Sequence, residues 1–130
     1  MEDMTNVVDL TNASPYEIAV QIIKVLDAKK AHGLKLLHVE GQSSITDYLV
    51  LCNGTSNTQI KSLAGEVEYK MGLCGQETLH MDGYNEGSWV VLDYGCVMVH
   101  VFSRDSRDFY KLEKLYGETS ELDISELITD

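Results

Sequence analysis

Gly54-Thr55-Ser56 stands between an apolar run, Tyr48–Cys52, and a helical pattern that opens at Ser56. A turn of small residues between a strand and a helix can hold phosphate oxygens on the backbone N–H groups of the helix start. Phosphoryl-transfer chemistry at such a turn needs carboxylates that hold two divalent metal ions. Those carboxylates come as a pair two residues apart, because alternate side chains of a strand share a face. Asp93 is the acid inside the apolar segment 89–102, and Val91 and Gly95 flank it at that spacing, so the pair is absent. Gly54 has no glycine-rich loop around it, and no Gly-x-x-x-x-Gly-Lys occurs. Ser56 is therefore read as an ordinary helix N-cap.

Other chemistry is no better supported. His32, His38, His80 and His100 form no His-x-x-x-His or Glu-x-x-His pattern, and Cys52, Cys74 and Cys96 are too far apart for a zinc knuckle. His100 alternates with valines and reads as a hydrogen-bonded structural histidine. Cys96 has Gly95 and Val97 as neighbours, which offer no positive charge to stabilise a thiolate. Neither a catalytic residue nor a cofactor or metal site is expected. What remains is binding. Trp89, the only tryptophan, and Tyr94 are candidate apolar anchors, since interface hot spots are enriched in Trp and Tyr. Asp93, Asp47 and Tyr48 are candidate polar contacts. Trp89 also reads as core filler, and Asp47 as a turn residue bonding nearby backbone.

The elements that must position these residues follow from periodicity. Trp89–Leu92 and Cys96–Phe102 flank Asp93-Tyr94-Gly95, a β-hairpin signal. The second run is apolar on both faces: Val97, Val99 and Val101 point one way, Cys96, Met98, His100 and Phe102 the other. Such a strand must be covered on both sides, inside a sheet or by a partner. Trp89, Asp93 and Tyr94 are the residues of this hairpin expected to be exposed. Ser14-Pro15-Tyr16-Glu17 is a capping box with proline at the first helical position. Ala19, Ile22, Ile23 and Leu26 continue one apolar stripe, and Gly33 is expected to end the helix. A strand over 34–40, a polar loop over 41–46 and a strand over 48–52 follow. Ser56 with Gln59 opens a second helix through Ile60, Leu63, Ala64, Val67 and Met71, closed by Gly72. A strand over 76–81, a loop over 82–87, the hairpin and a helix over 106–116, with Phe109, Leu112 and Tyr116 on one face, complete the series. The order is α-β-β-α-β-β-β-α: one α/β domain whose mixed sheet of about five strands is flanked by helices.

At 130 residues the chain suits one domain, and 44% hydrophobic content is a globular value. No apolar run approaches the roughly 20 residues that cross a bilayer. The acidic start, Met1-Glu2-Asp3-Met4, is unlike a signal peptide. Three scattered cysteines suit a reducing compartment, so a cytoplasmic protein is expected. The net charge of −11 is concentrated at the ends: residues 1–14 hold three acids and 117–130 hold five, neither with a base. That balance argues against direct nucleic-acid binding and is compatible with a basic protein partner; no membrane partner is expected. Residues 1–14 are expected to be mobile. Residues 117–130 are expected to be a frayed acidic tail, although Leu122, Ile124, Leu127 and Ile128 would suit a short amphipathic helix if something received it.

An ordered set of motifs goes further. Gly41-Gln42-Ser43-Ser44-Ile45-Thr46-Asp47-Tyr48, Cys52-Asn53-Gly54-Thr55-Ser56, Trp89-Val90-Val91-Leu92-Asp93-Tyr94-Gly95, Val99-His100-Val101-Phe102, and Arg107, Tyr110 and Leu112-Glu113-Lys114-Leu115-Tyr116 resemble, in this order, the ribosomal silencing factor family, also called Iojap-like. The resemblance covers about residues 16–116, within a domain placed at 15–116. Cys96 stands where the family usually has an acid, and Tyr116 where it usually has Trp. The resemblance implies a nucleotidyltransferase-like fold without catalysis. It also implies binding to large-subunit ribosomal protein fourteen (uL14), a steric block to joining with the small subunit, and commonly a homodimer. A nucleotide-binding enzyme and an assembly adaptor are the rival readings.

Overall fold

The computed structural model describes residues 8–43, 45–110, 116 and 120–128. Helix α1 (Pro15–Ala28) starts as its capping box requires: Ser14 Oγ accepts from the Glu17 N–H at 3.2 Å, and Glu17 Oε1 accepts from the Ser14 N–H at 3.1 Å. The helix ends earlier than Gly33. Lys29 caps it, and Lys30 takes the left-handed conformation (φ 61°) at which glycine usually stops a helix. Gly33 instead lies in strand β1 (His32–His38), two residues earlier than the periodicity suggests. Its own φ is 61°, and a Cβ there would sit 2.5 Å from Arg107 Nη1 and 2.7 Å from Asn53 Oδ1, so a side chain would displace that contact.

Strand β2 (Tyr48–Gly54) pairs antiparallel with β1 and leads into α2 (Asn57–Leu73). The second capping box is half made. Ser56 Oγ accepts from the Gln59 N–H at 3.0 Å, but Gln59 Oε1 turns to the Thr55 N–H and hydroxyl. Gly72 is inside α2; the left-handed turn comes at Gly75, after the Cys74 cap. The strand expected over 76–81 is only three residues, β3 (His80–Asp82). The hairpin forms as β4 (Trp89–Asp93) and β5 (Val97–Ser103), and α3 runs from Arg104 to Tyr110, with Tyr116 also helical. The side chains of Phe109 and Leu112, expected on its apolar face, lie outside the described residues.

Among the described residues the sheet has six strands in the order β3-β4-β5-β2-β1-β6. Only β2–β5 is parallel among the pairs, so the sheet is mixed. The sixth strand is β6 (Glu121–Leu122), from the segment expected to fray. It covers the edge of β1, pairing Leu122 with Leu36 and Glu121 with Leu37. Glu121 reaches Lys35 at 3.6 Å, and Gln42 Nε2 donates to Ser120 Oγ at 2.7 Å. Ile124, Leu127 and Ile128 then pack on the core as an irregular return rather than a helix. An apolar residue at every second or third position had a place to bury, and burial outweighs the acids, which face out. At the other end, residues 8–14 are likewise tied down, unlike the mobile segment expected there. Leu10 is buried, its N–H donates to Cys74 O at 2.8 Å, and Gln76 Nε2 donates to Leu10 O at 2.7 Å.

Strand β5 is central and covered on both faces along most of its length, with Met98 half-buried. Val97, Val99 and Val101 are fully buried with Val50, Cys52, Val90 and Leu92 under α1 and α2. Each such valine contributes roughly 1.5–3 kcal/mol by burial. Phe102 is buried on the opposite face with Leu37, Val39, Leu49 and Leu51, against which Tyr116 packs. Arg107 fastens α3 to this face: its Nη1 donates to Gly33 O at 2.6 Å and to Asn53 Oδ1 at 2.8 Å.

Candidate partner-binding surface

Strand alternation places Trp89, Val91 and Asp93 of β4 on the sheet face that carries α3, beside Met98, His100 and Phe102 of β5. Over β2 and β1 this face is closed. Toward β3 it opens: Trp89, Val91 and Met98 are half-buried, and His80 and Asp82 on the edge strand are exposed. Asp93 is directly opposite His80, and Val91 opposite Asp82. The result is an apolar strip along β4 and β5 with carboxylates at its border.

Trp89 belongs to both core and surface. Its indole N–H donates to His100 Nδ1 at 3.0 Å, and its ring stacks on Phe102 with centroids 5.2 Å apart. Accepting that bond requires a lone pair on Nδ1, so His100 is neutral with its proton on Nε2. Burial agrees, pushing His100 down from 6.5 to about 4. The histidine is thus the structural one that its valine neighbours suggest.

The other sequence candidates do not converge with Trp89. Asp93 shares its face but lies four residues along β4, roughly 13 Å away. Its Oδ1 accepts from the Gly95 N–H at 2.7 Å, which holds the hairpin turn. Asp47 sits half-buried at the same end of the sheet, its N–H donating to Cys96 O at 3.1 Å and its carbonyl accepting from the Val39 N–H at 2.8 Å. Tyr48 is on the opposite face, half-buried beneath a stacked His38 ring at 4.6 Å and beside Tyr16 at 6.0 Å. Burial raises its phenol pKa first, then the charges of Glu40, Tyr16 and Asp47.

Tyr94 corrects the expectation of an exposed anchor. It is 6% exposed and packs in the main core under α2. The Thr78 hydroxyl donates to its Oη at 2.7 Å, and burial pushes the phenol up to about 12. One residue beyond Asp93, alternation turns its side chain to the helix-covered face. Val91 and Met98, which sequence reasoning passed over, do line the strip. The signal was available: Val91 is two residues from both Trp89 and Asp93.

The turn at Gly54-Thr55-Ser56 lies at the far end of the sheet from Asp93. Asp93 pairs with Met98, which pairs with Leu49, five residues before Gly54, or roughly 16 Å. Gln59 and Ser56 already occupy the N–H groups of Thr55 and Gln59 that a phosphate would use. Burial raises the pKa of Cys96 and pushes that of Cys52 up to about 12, which suppresses thiolate chemistry at both. Among the described residues no three His, Cys, Asp or Glu side chains cluster as a metal site, and no helix is long and apolar enough to cross a membrane.

Comparison with known proteins is consistent with this arrangement. A ribosomal silencing factor RsfS of Bacillus subtilis is 38% identical over 98 residues, 75% of this chain and 83% of that protein. One of Halalkalibacterium halodurans is 34% identical over 89% of this chain and 99% of its own length. A solved structure from Chromobacterium violaceum superposes with a TM-score of 0.78 at 31% identity, covering 81% of this chain and 88% of that one. The family model described as ribosomal silencing factor during starvation matches residues 12–130, which takes in the β6 return as well as the motifs, and the chain belongs to that family.

Proposed function

We propose that this protein is a non-enzymatic repressor of translation that acts in the cytoplasm on the large ribosomal subunit. It binds ribosomal protein fourteen (uL14) and sterically prevents the small subunit from joining. The observation that carries this reading is membership of the ribosomal silencing factor family over residues 12–130. The open strip of Trp89, Val91 and Met98 supports it as the contact face. It offers apolar area for a dry centre, and Asp82 and Asp93 at its border suit a basic ribosomal protein. Asp47, near the Asp93 end, extends the polar rim. Occupying a surface needs no bond-making, only complementarity over about 800 Å² per partner.

The test is a subunit-joining assay. Purified large subunits, saturated with this chain, are mixed with small subunits and the joined fraction is measured. A fall in joined ribosomes that depends on this chain supports the reading; an unchanged fraction at saturation refutes it.

A further inference from the structure

Away from the strip, the last turn of α1, the start of β1 and the C-terminal return line an open cavity of about 660 Å³. Its walls include Asp27, Lys30, His32, Leu34, Ile124 and Ile128. The volume is within the roughly 300–1,000 Å³ of small-molecule sites. Leu34, Ile124 and Ile128 pack on the core from one side yet remain half-exposed, because their other side faces the cavity.

The local charge runs against that of the whole protein. The chain carries −11, but residues 24–35 hold four lysines against a single acid, Asp27. Lys35 is engaged with Glu121. Lys29 is the C-cap residue of α1, where its backbone N–H meets the last carbonyls. Lys30 is on the cavity wall and holds a left-handed backbone (φ 61°) that costs a side-chain-bearing residue about 1 kcal/mol relative to glycine. Of the four lysines, Lys30 is the one on the cavity wall.

We propose that this cavity binds a small aliphatic carboxylate, with its chain on Leu34, Ile124 and Ile128 and its head group at Lys30, beside His32. Among the described residues the walls present branched aliphatics and no Phe, Tyr or Trp, which suits a hydrocarbon body. Because two of the walls come from the C-terminal return, the bound ligand fastens that return to α1 and β1.

Octanoate is the probe, titrated against the full chain while the methyl resonances of Ile124 and Ile128 are followed by NMR. Saturable shifts are expected, with a Kd on the order of 1 mM. Octylammonium, which has the same tail and the opposite charge, is expected to give none. Lys30→Gly removes the ammonium and relieves the backbone, so the fold is retained, and binding weakens about tenfold. Failure of octanoate to saturate, an equal response to octylammonium, or undiminished affinity in Lys30→Gly overturns the proposal.

Discussion

Acidification should loosen this protein through one buried residue. His100 titrates near 4 in the fold, against 6.5 when solvated. Above 6.5 both the folded and unfolded chains hold it neutral, and its burial carries no protonation penalty. As pH falls from 6.5 toward 4, the unfolded chain takes up a proton that the folded one refuses, so stability is lost across that window and then levels off. Linkage puts the loss at about 2 kcal/mol by about pH 5 and about 3 kcal/mol by about pH 4. Protonation also turns the acceptor of the Trp89 N–H into a donor, so the two groups would oppose each other. Urea unfolding at neutral and acid pH measures the effect. His100→Asn supplies the control: its amide oxygen can still accept from Trp89 and does not titrate. The exposed carboxylates contribute alike to both proteins and cancel in the difference. The wild-type chain should lose about 2 kcal/mol more than His100→Asn on going from neutral pH to about pH 5. Parallel pH profiles would refute the assignment of a buried, neutral His100.

Arg107→Ala removes two charge-assisted hydrogen bonds that hold α3 to β1 and β2, and should lower stability by about 1.5–3 kcal/mol in urea unfolding. Lys30→Gly should instead raise the melting temperature, by an amount equivalent to roughly 0.5–1 kcal/mol, because glycine takes the left-handed position without strain. Tyr94→Phe leaves the Thr78 hydroxyl without its acceptor in a mostly buried site and should cost about 1 kcal/mol, while leaving ribosome binding unchanged if Tyr94 is core as found. Val91→Glu places a charge in the half-buried strip. It should weaken large-subunit binding by about 2–4 kcal/mol, some 30- to 1,000-fold, in a variant whose melting curve shows it folded.

Periodicity and turn chemistry carried most of the fold. The capping box at Ser14, the apolar stripe of α1 and the doubly apolar Val97–Phe102 run each describe a local choice that agrees with its tertiary surroundings. Legibility fails where a distant partner decides. Helix α1 ends at Lys29 and Lys30 and not at Gly33, which lies in β1 against Arg107, 74 residues away. The C-terminal segment looks like a frayed acidic tail until the uncovered edge of β1 is known. The site shows the same division. Trp89 and Asp93 share a half-buried sheet face, as alternation along one strand requires. Tyr94 was misplaced because a turn residue's exposure depends on what packs over it, here the Thr78 hydroxyl and α2. Tyr48 was grouped with Trp89 although the sheet puts them on opposite faces, a relation that needs the strand pairing to see.

Co-sedimentation with separated subunits bears on the central claim most directly. The purified chain is layered with large or small subunits on sucrose gradients and its distribution is followed. It should travel with large subunits and stay at the top with small ones. Equal recovery with both, or with neither, would contradict the account.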